Sequence, residues 1–159
     1  MDSQAKPVRA LGLGWTRPVY LFLLFGMGLT GFAQMPIFKR YYIADIPGLG
    51  WLARFYVTHY MHYVGAALLL FFIVYAASVY LLMLRRDFAL TITAYLRIIL
   101  LASIAATGIF RVLKNLPDVV FSPGFTMFID ISHLGFMMLL ICTGAIAMTI
   151  KQPWLVHRR

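Results

Sequence analysis

Charge is scarce in this chain. Of its 159 residues only 12% are Asp, Glu, Lys or Arg, against roughly 25% in soluble domains. Acidic residues are scarcest: five, against 14 Lys and Arg, for a net charge of +9. With 62% hydrophobic residues and a mean hydropathy of +0.85, the chain lacks the polar groups to cover a water-facing surface. A soluble globular enzyme is excluded. A disordered tail is excluded too, because 13 Phe, 9 Tyr and 3 Trp have to be buried. There is one cysteine, Cys142, inside an apolar run, so neither an intrachain disulfide nor a cysteine-rich metal site is available. No carboxylate pair, nucleophile triad or phosphate loop stands out for catalysis on a soluble substrate.

What is present is long apolar sequence. Four segments run from about Pro18 to Met35, Trp51 to Leu84, Phe88 to Phe110 and Phe125 to Ile150. Each is long enough for a hydrocarbon core, which takes about 20 helical residues. Open-edged sheet does not persist in lipid, so helices are the default. The expectation is an all-α fold, a transmembrane four-helix up-down bundle forming one domain over 1–159, with no internal repeat. The first segment is read as a span rather than a cleavable signal, since it lacks an Ala-x-Ala exit and continues into Met35-Pro36-Ile37-Phe38-Lys39-Arg40.

Breakers mark the boundaries. Pro18 suits a first helical turn, Pro36 stops the first helix, and Ile46-Pro47-Gly48-Leu49-Gly50 turns into the second. Pro117 and Ser122-Pro123-Gly124 separate the third and fourth, and Pro153 ends the fourth. Trp15, Trp51 and Trp154 fall near helix ends, as interfacial anchors do. Between Arg54 and Arg85 lie 30 residues, about 45 Å of helix. That is too long for a plain span, so the segment tilts or projects.

The basic residues sit in clusters between apolar runs, where anionic headgroups are the expected partners and nucleic acid is not. One side carries Lys6, Arg9, Arg17, Arg85, Arg86, Arg97, Lys151, Arg158 and Arg159; the other carries Lys39, Arg40, Arg54, Arg111 and Lys114. This asymmetry predicts that both termini are cytoplasmic.

Three of the four histidines, His59, His62 and His133, lie in apolar helices, where an ionisable group is costly and usually functional. His157 belongs to the basic tail and is given no role. His59 and His62 fall two to three turns into the second segment and His133 about two turns into the fourth, so up-down topology predicts similar depths toward the outer face. Imidazoles on two facing helices suit the axial positions of a b-type haem. His59 and His62, at i and i+3, are too close in height for two stacked haems. One of them is the ligand, and the other is a hydrogen-bonding neighbour, a propionate partner or part of a quinol pocket. His62 is favoured because it is deeper and Gly65 at i+3 leaves room for a ring. From spacing alone, structural polar packing of these histidines stays open beside haem; zinc lacks a fourth ligand.

Arg54, Arg111 and Lys114 lie on the same side and offer propionate partners, with snorkelling as the plainer role for any one of them. Asp130 shares a face with His133 and could accept a hydrogen bond or shuttle a quinol proton; it reads best as a helix-start carboxylate. Arg97, well inside the third segment, either snorkels or pairs with a polar group. Gly65, Gly135 and Gly144 allow close approach of a porphyrin or of a neighbouring helix.

The sequences Arg17-Pro18-Val19-Tyr20 and Leu29-Thr30-Gly31-Phe32, with Thr58-His59-Tyr60-Met61-His62-Tyr63-Val64-Gly65 and Ser132-His133-Leu134-Gly135, resemble the membrane cytochrome b subunits of the formate dehydrogenase gamma, thiosulfate reductase and hydrogenase type. The resemblance covers most of the chain through short motifs. In two-haem members a first-helix His and a second fourth-helix His bind an inner haem; here those places hold Tyr20 and Ile146, Ala147 and Met148. The resemblance therefore implies one haem b, the outer one, held by His62 or His59 with His133. It also implies a bacterial or archaeal cytoplasmic membrane, an iron–sulfur or multihaem partner subunit, and electron exchange with quinone. The expected function is a non-catalytic electron-transfer anchor. The alternatives are a haem-free scaffold of a respiratory complex and a small proton-coupled transporter using Asp130, Arg97 and the histidines.

Overall fold

A computed structural model describes residues 13–35 and 45–158. Pro36, Lys39, Arg40, Tyr41 and Tyr42, together with Lys6, Arg9 and Arg159, lie outside the described residues. The chain gathers into two compact units, Met1–Leu84 and Arg85–Arg159.

The first unit is a helical hairpin. A 3₁₀ turn at Leu13–Trp15 leads into α1, Thr16–Ala33, with Pro18 in its first turn, where a missing N–H costs nothing. The second segment is not one helix from Trp51. Gly50–Ala53 is a 3₁₀ turn, and Arg54 resets the chain to an extended conformation. Helix α2 then runs Phe55–Val79 and ends in a π turn at Tyr80–Leu84. Gly48 supplies the positive φ, +88°, that the preceding turn requires. Along the hairpin, Trp15 packs on Phe72 and Tyr75 with ring centroids 6.2 and 5.5 Å away, and Tyr20 stacks on Phe72 at 6.3 Å. Trp15, expected at the interface, thus packs on α2, and Tyr20 has a packing role.

The second unit pairs α3, Ile92–Leu113, with α4, Pro123–Thr149. Each starts with a built cap: Thr91 accepts from the Ala94 amide and Ser122 from the Phe125 amide. Phe110, Phe121 and Phe125 cluster edge-to-face at the hairpin turn.

The third segment does not begin as helix at Phe88. Phe88–Leu90 is a strand, β1, paired antiparallel with β2, Leu155–His157. The C-terminal tail reaches this position through a tight reversal after α4. Lys151 adopts a positive φ of 53°, the Gln152 amide donates to the Ala147 carbonyl and the Lys151 amide to the Met148 carbonyl, which is the Schellman pattern. The fold is therefore mostly helical, with a two-stranded ribbon that an all-α expectation omits.

Among the described residues three helices are long and apolar enough to cross a membrane: Phe55–Leu84, Ile92–Leu113 and Pro123–Thr149. Their outward faces carry large apolar side chains such as Phe71, Leu82, Ile92 and Phe128, an arrangement suited to lipid and not to water. Helix α1 falls outside this set. Its 18 residues span about 27 Å, under the roughly 30 Å core, and its first turn contains Thr16, Arg17 and Pro18.

Candidate functional site

Each hairpin places one histidine of its second helix against a threonine of its first. In the first unit, His62 Nδ1 lies 3.0 Å from Thr30 Oγ1. In the second, His133 Nδ1 lies 3.0 Å from Thr107 Oγ1. The threonine hydroxyls behave alike. Thr30 donates to the Gly26 carbonyl at 2.7 Å and Thr107 to the Ser103 carbonyl at 2.8 Å, each four residues back on its own helix. The following residue is glycine in both cases. A Cβ at Gly31 would sit 3.3 Å from His62 Cε1, and one at Gly108 would sit 3.4 Å from His133 Cε1. The imidazole thus lies against the bare helix backbone at the point where its Nδ1 meets the hydroxyl.

His62 is seven residues into α2 and His133 ten into α4, about two and nearly three turns from their respective starts. Both are half-buried. His59 is placed differently. Its Nδ1 meets Gln34 Oε1 at 3.0 Å, and the Gln34 amide nitrogen donates to the Thr30 carbonyl. Its ring lies against Phe55 and Tyr63, 5.2 and 4.4 Å between centroids. It is held by a flexible side chain just beyond α1. The local surroundings separate His62 from His59, which spacing alone did not. The expected role for Gly65 changes, however: a Cβ there would meet Met27 Sδ at 2.7 Å, so the space beside it is taken by a thioether. Gly135 and Gly144 have nothing within 4 Å of a Cβ position.

Charge in the second unit collects near His133. Asp130, one turn before it on α4, receives Arg111 Nε at 3.0 Å and Lys114 Nζ at 2.8 and 2.7 Å. Thr107, Arg111 and Lys114 share one face of α3 at spacings of four and three, so the imidazole contact and the ion cluster follow each other along the same seam. Asp130 is not in the first turn of α4, which contains no acidic residue; its partners are side-chain cations and not the helix dipole. Arg111, expected as a propionate partner, is engaged with Asp130. Arg54 lies exposed at the start of α2, where its carbonyl accepts from the Thr58 amide and hydroxyl. Arg97 is buried, donates through Nε to the Thr93 carbonyl, and lies 4.0 Å from the Trp154 ring centre. Its partner is an aromatic face, and Trp154 is more than an interfacial anchor.

Sequence reasoning found the histidines and missed Thr30, Thr107, Gly31, Gly108 and Gln34 as their partners. The dipeptide Thr-Gly occurs at 30–31, 107–108 and 143–144, so it does not by itself mark the two that meet a histidine.

Each of these imidazoles, taken by itself, is of a type that can ligate a metal. When Nδ1 is engaged with a neighbouring oxygen, Nε2 is the ring nitrogen oriented for a metal. Among the described residues no group of three or more His, Cys, Asp or Glu side chains could hold a bare metal ion, whereas a metal within a macrocycle asks the protein for only one or two axial ligands. No protein-family model, curated protein or solved structure matches this chain.

Proposed function

We propose that this chain is a haem b-binding membrane subunit. It moves electrons between a peripheral iron–sulfur or multihaem subunit and the quinone pool, and has no catalysis of its own on a soluble substrate. The observation that carries the reading is the matched treatment of His62 and His133: each Nδ1 is held by a threonine hydroxyl and each ring edge lies against a glycine. Structural packing of two histidines does not require that they share that arrangement. Axial ligation of one iron favours it, because both rings need the same nitrogen presented in the same way. His62 and His133 are the proposed ligands, and His59 is a neighbouring group. The haem supplies one-electron chemistry when bound, while the chain fixes the ring orientations and excludes water. Arg54 is the proposed propionate partner, and Arg111 reaches such a group only by sharing Asp130.

In this reading the four helices cross the membrane up and down with both termini cytoplasmic. The stretches Phe38–Gly50 and Lys114–Gly124, with Lys39, Arg40, Tyr41, Tyr42, Arg111, Lys114 and Asn115, then meet the partner subunit outside. Their mixture of basic and aromatic residues is of the kind found at interfaces. The transporter alternative loses support because Asp130, its proton carrier, is committed to Arg111 and Lys114.

A pyridine haemochrome assay on the purified full chain tests the reading. One haem b per chain is expected, with low-spin bands abolished in His62→Ala and in His133→Ala but kept in His59→Ala. Absence of haem from wild type would leave the scaffold alternative. Loss of the bands in His59→Ala with His62→Ala intact would transfer the ligand role to His59.

A further inference from the structure

We propose that Thr30 and Thr107 are positioning residues that set the tautomer of His62 and His133, holding the proton on Nδ1 so that Nε2 carries the lone pair. The argument is a count of protons. A threonine hydroxyl has one hydrogen to give. Thr30 Oγ1 lies 2.7 Å from the Gly26 carbonyl and Thr107 Oγ1 lies 2.8 Å from the Ser103 carbonyl. A carbonyl can only accept, so those short contacts claim the hydroxyl hydrogen. The 3.0 Å contacts between each hydroxyl oxygen and its imidazole then need their hydrogen from the ring, which makes Nδ1 the donor. In water a neutral histidine favours the proton on Nε2, so the protein selects the less common form at both places.

The glycines serve the same end. Cε1 lies between the two ring nitrogens, and a Cβ at Gly31 or Gly108 would press on that atom and lift the ring from its threonine. The two threonine–histidine pairs are separated by 32 and by 26 residues, so the arrangement is reached through hairpins with different connections. The tautomer assignment stands on the hydrogen bonds alone. The role of Nε2 as an iron ligand rests on the haem reading above. In that role an oxygen accepting from Nδ1–H raises the basicity of the ligand and thereby favours ferric iron.

The test is ¹⁵N NMR of the full chain in lipid bilayers, prepared without haem and with histidine ¹⁵N-labelled. His62 and His133 are expected to show a protonated Nδ1 and a bare Nε2. Thr30→Val and Thr107→Val should each move their own histidine toward the Nε2–H form, while Thr→Ser at either site keeps the wild-type pattern. Wild-type spectra with the proton on Nε2, or valine variants without change, would overturn the assignment. In the haem-loaded chain, Thr107→Val should lower haem affinity about 10- to 100-fold and raise the midpoint potential, and Thr107→Ser should restore both. A wild-type chain that binds no haem defeats the haem reading while the NMR result still decides the tautomer. A chain that binds haem with affinity and potential untouched by Thr107→Val defeats the positioning role alone.

Discussion

Among single residues, the glycines beside the imidazoles allow the sharpest separation of stability from function. In an exposed helix interior, glycine costs about 1 kcal/mol relative to alanine, so replacing it ordinarily stabilises. Gly28 has open space where a Cβ would go, and Gly28→Ala should raise thermal stability by about 0.5–1 kcal/mol with haem content unchanged. Gly31→Ala and Gly108→Ala place a Cβ 3.3 and 3.4 Å from the neighbouring Cε1, so each ring must give by a few tenths of an ångström. Here the helix gains propensity while the proposed ligand is displaced: unfolding should shift by less than about 1 kcal/mol, while on the haem reading haem affinity falls about tenfold, the low end for disturbing the support of a metal ligand. Thermal melts beside haem titrations separate the two effects. Equal changes at positions 28, 31 and 108 would remove the special standing of the last two. The histidines were legible because an ionisable group in an apolar helix is conspicuous. Their threonines were not, because Thr in a helix back-bonds to its own backbone and leaves no periodic trace; only the cross-helix contact reveals its second task. Asp130 misled for a related reason. Its position near the start of a predicted helix invited a dipole argument, but the cations that hold it come from another helix.

For the elements, the sequence located all four helices and erred at their ends. Phe88–Leu90 is a three-residue apolar run, too short for periodicity to distinguish strand from helix, and its partner Leu155–His157 looked like a basic tail. What joins them is Thr91. Its hydroxyl oxygen accepts from the Ala94 amide, capping α3, and donates to the Pro153 carbonyl, while the Thr91 amide donates to the Trp154 carbonyl. One side chain therefore both starts a helix and fastens the tail. Thr91→Val keeps the shape and removes these two bonds together with the 3.1 Å contact to the Thr93 hydroxyl. The expected loss is about 1–2 kcal/mol, one cap plus one ordinary hydrogen bond, with faster amide exchange across Leu155–His157. Ser122→Ala removes a cap alone and should cost about 1 kcal/mol with exchange in the ribbon unchanged. If both variants freed the ribbon equally, the tether would lie elsewhere, in the Arg97–Trp154 contact.

For the whole molecule, the number of crossings turns on α1, the one helix too short and too polar at its start to be counted as a span on its own. Its packing supplies what its composition lacks. At one end Trp15 meets Tyr75, and at the other Gln34 meets His59. The two contact points on α2 are 16 residues apart, about 24 Å along the axis. A helix lying flat at the membrane surface would cross α2 at one place; α1 runs antiparallel to it for nearly its full length. This packing supports the proposal that α1 crosses with α2; on that proposal the chain crosses four times, and Gly14 and Asp87 are expected on the same side. On the proposed orientation, which rests on the charge asymmetry of nine basic residues against five, that side is cytoplasmic. Single cysteines at Gly14, Asp45 and Asp87, in a Cys142→Ser background because Cys142 is exposed, decide the matter by labelling on intact cells with an impermeant reagent. The expected result is labelling at Asp45 alone. Labelling at Gly14 and Asp87 with Asp45 protected would invert the orientation and move the docking side with it. Labelling at Gly14 together with Asp45 would mean that α1 does not cross, and the four-crossing arrangement would have to be abandoned whatever the haem content.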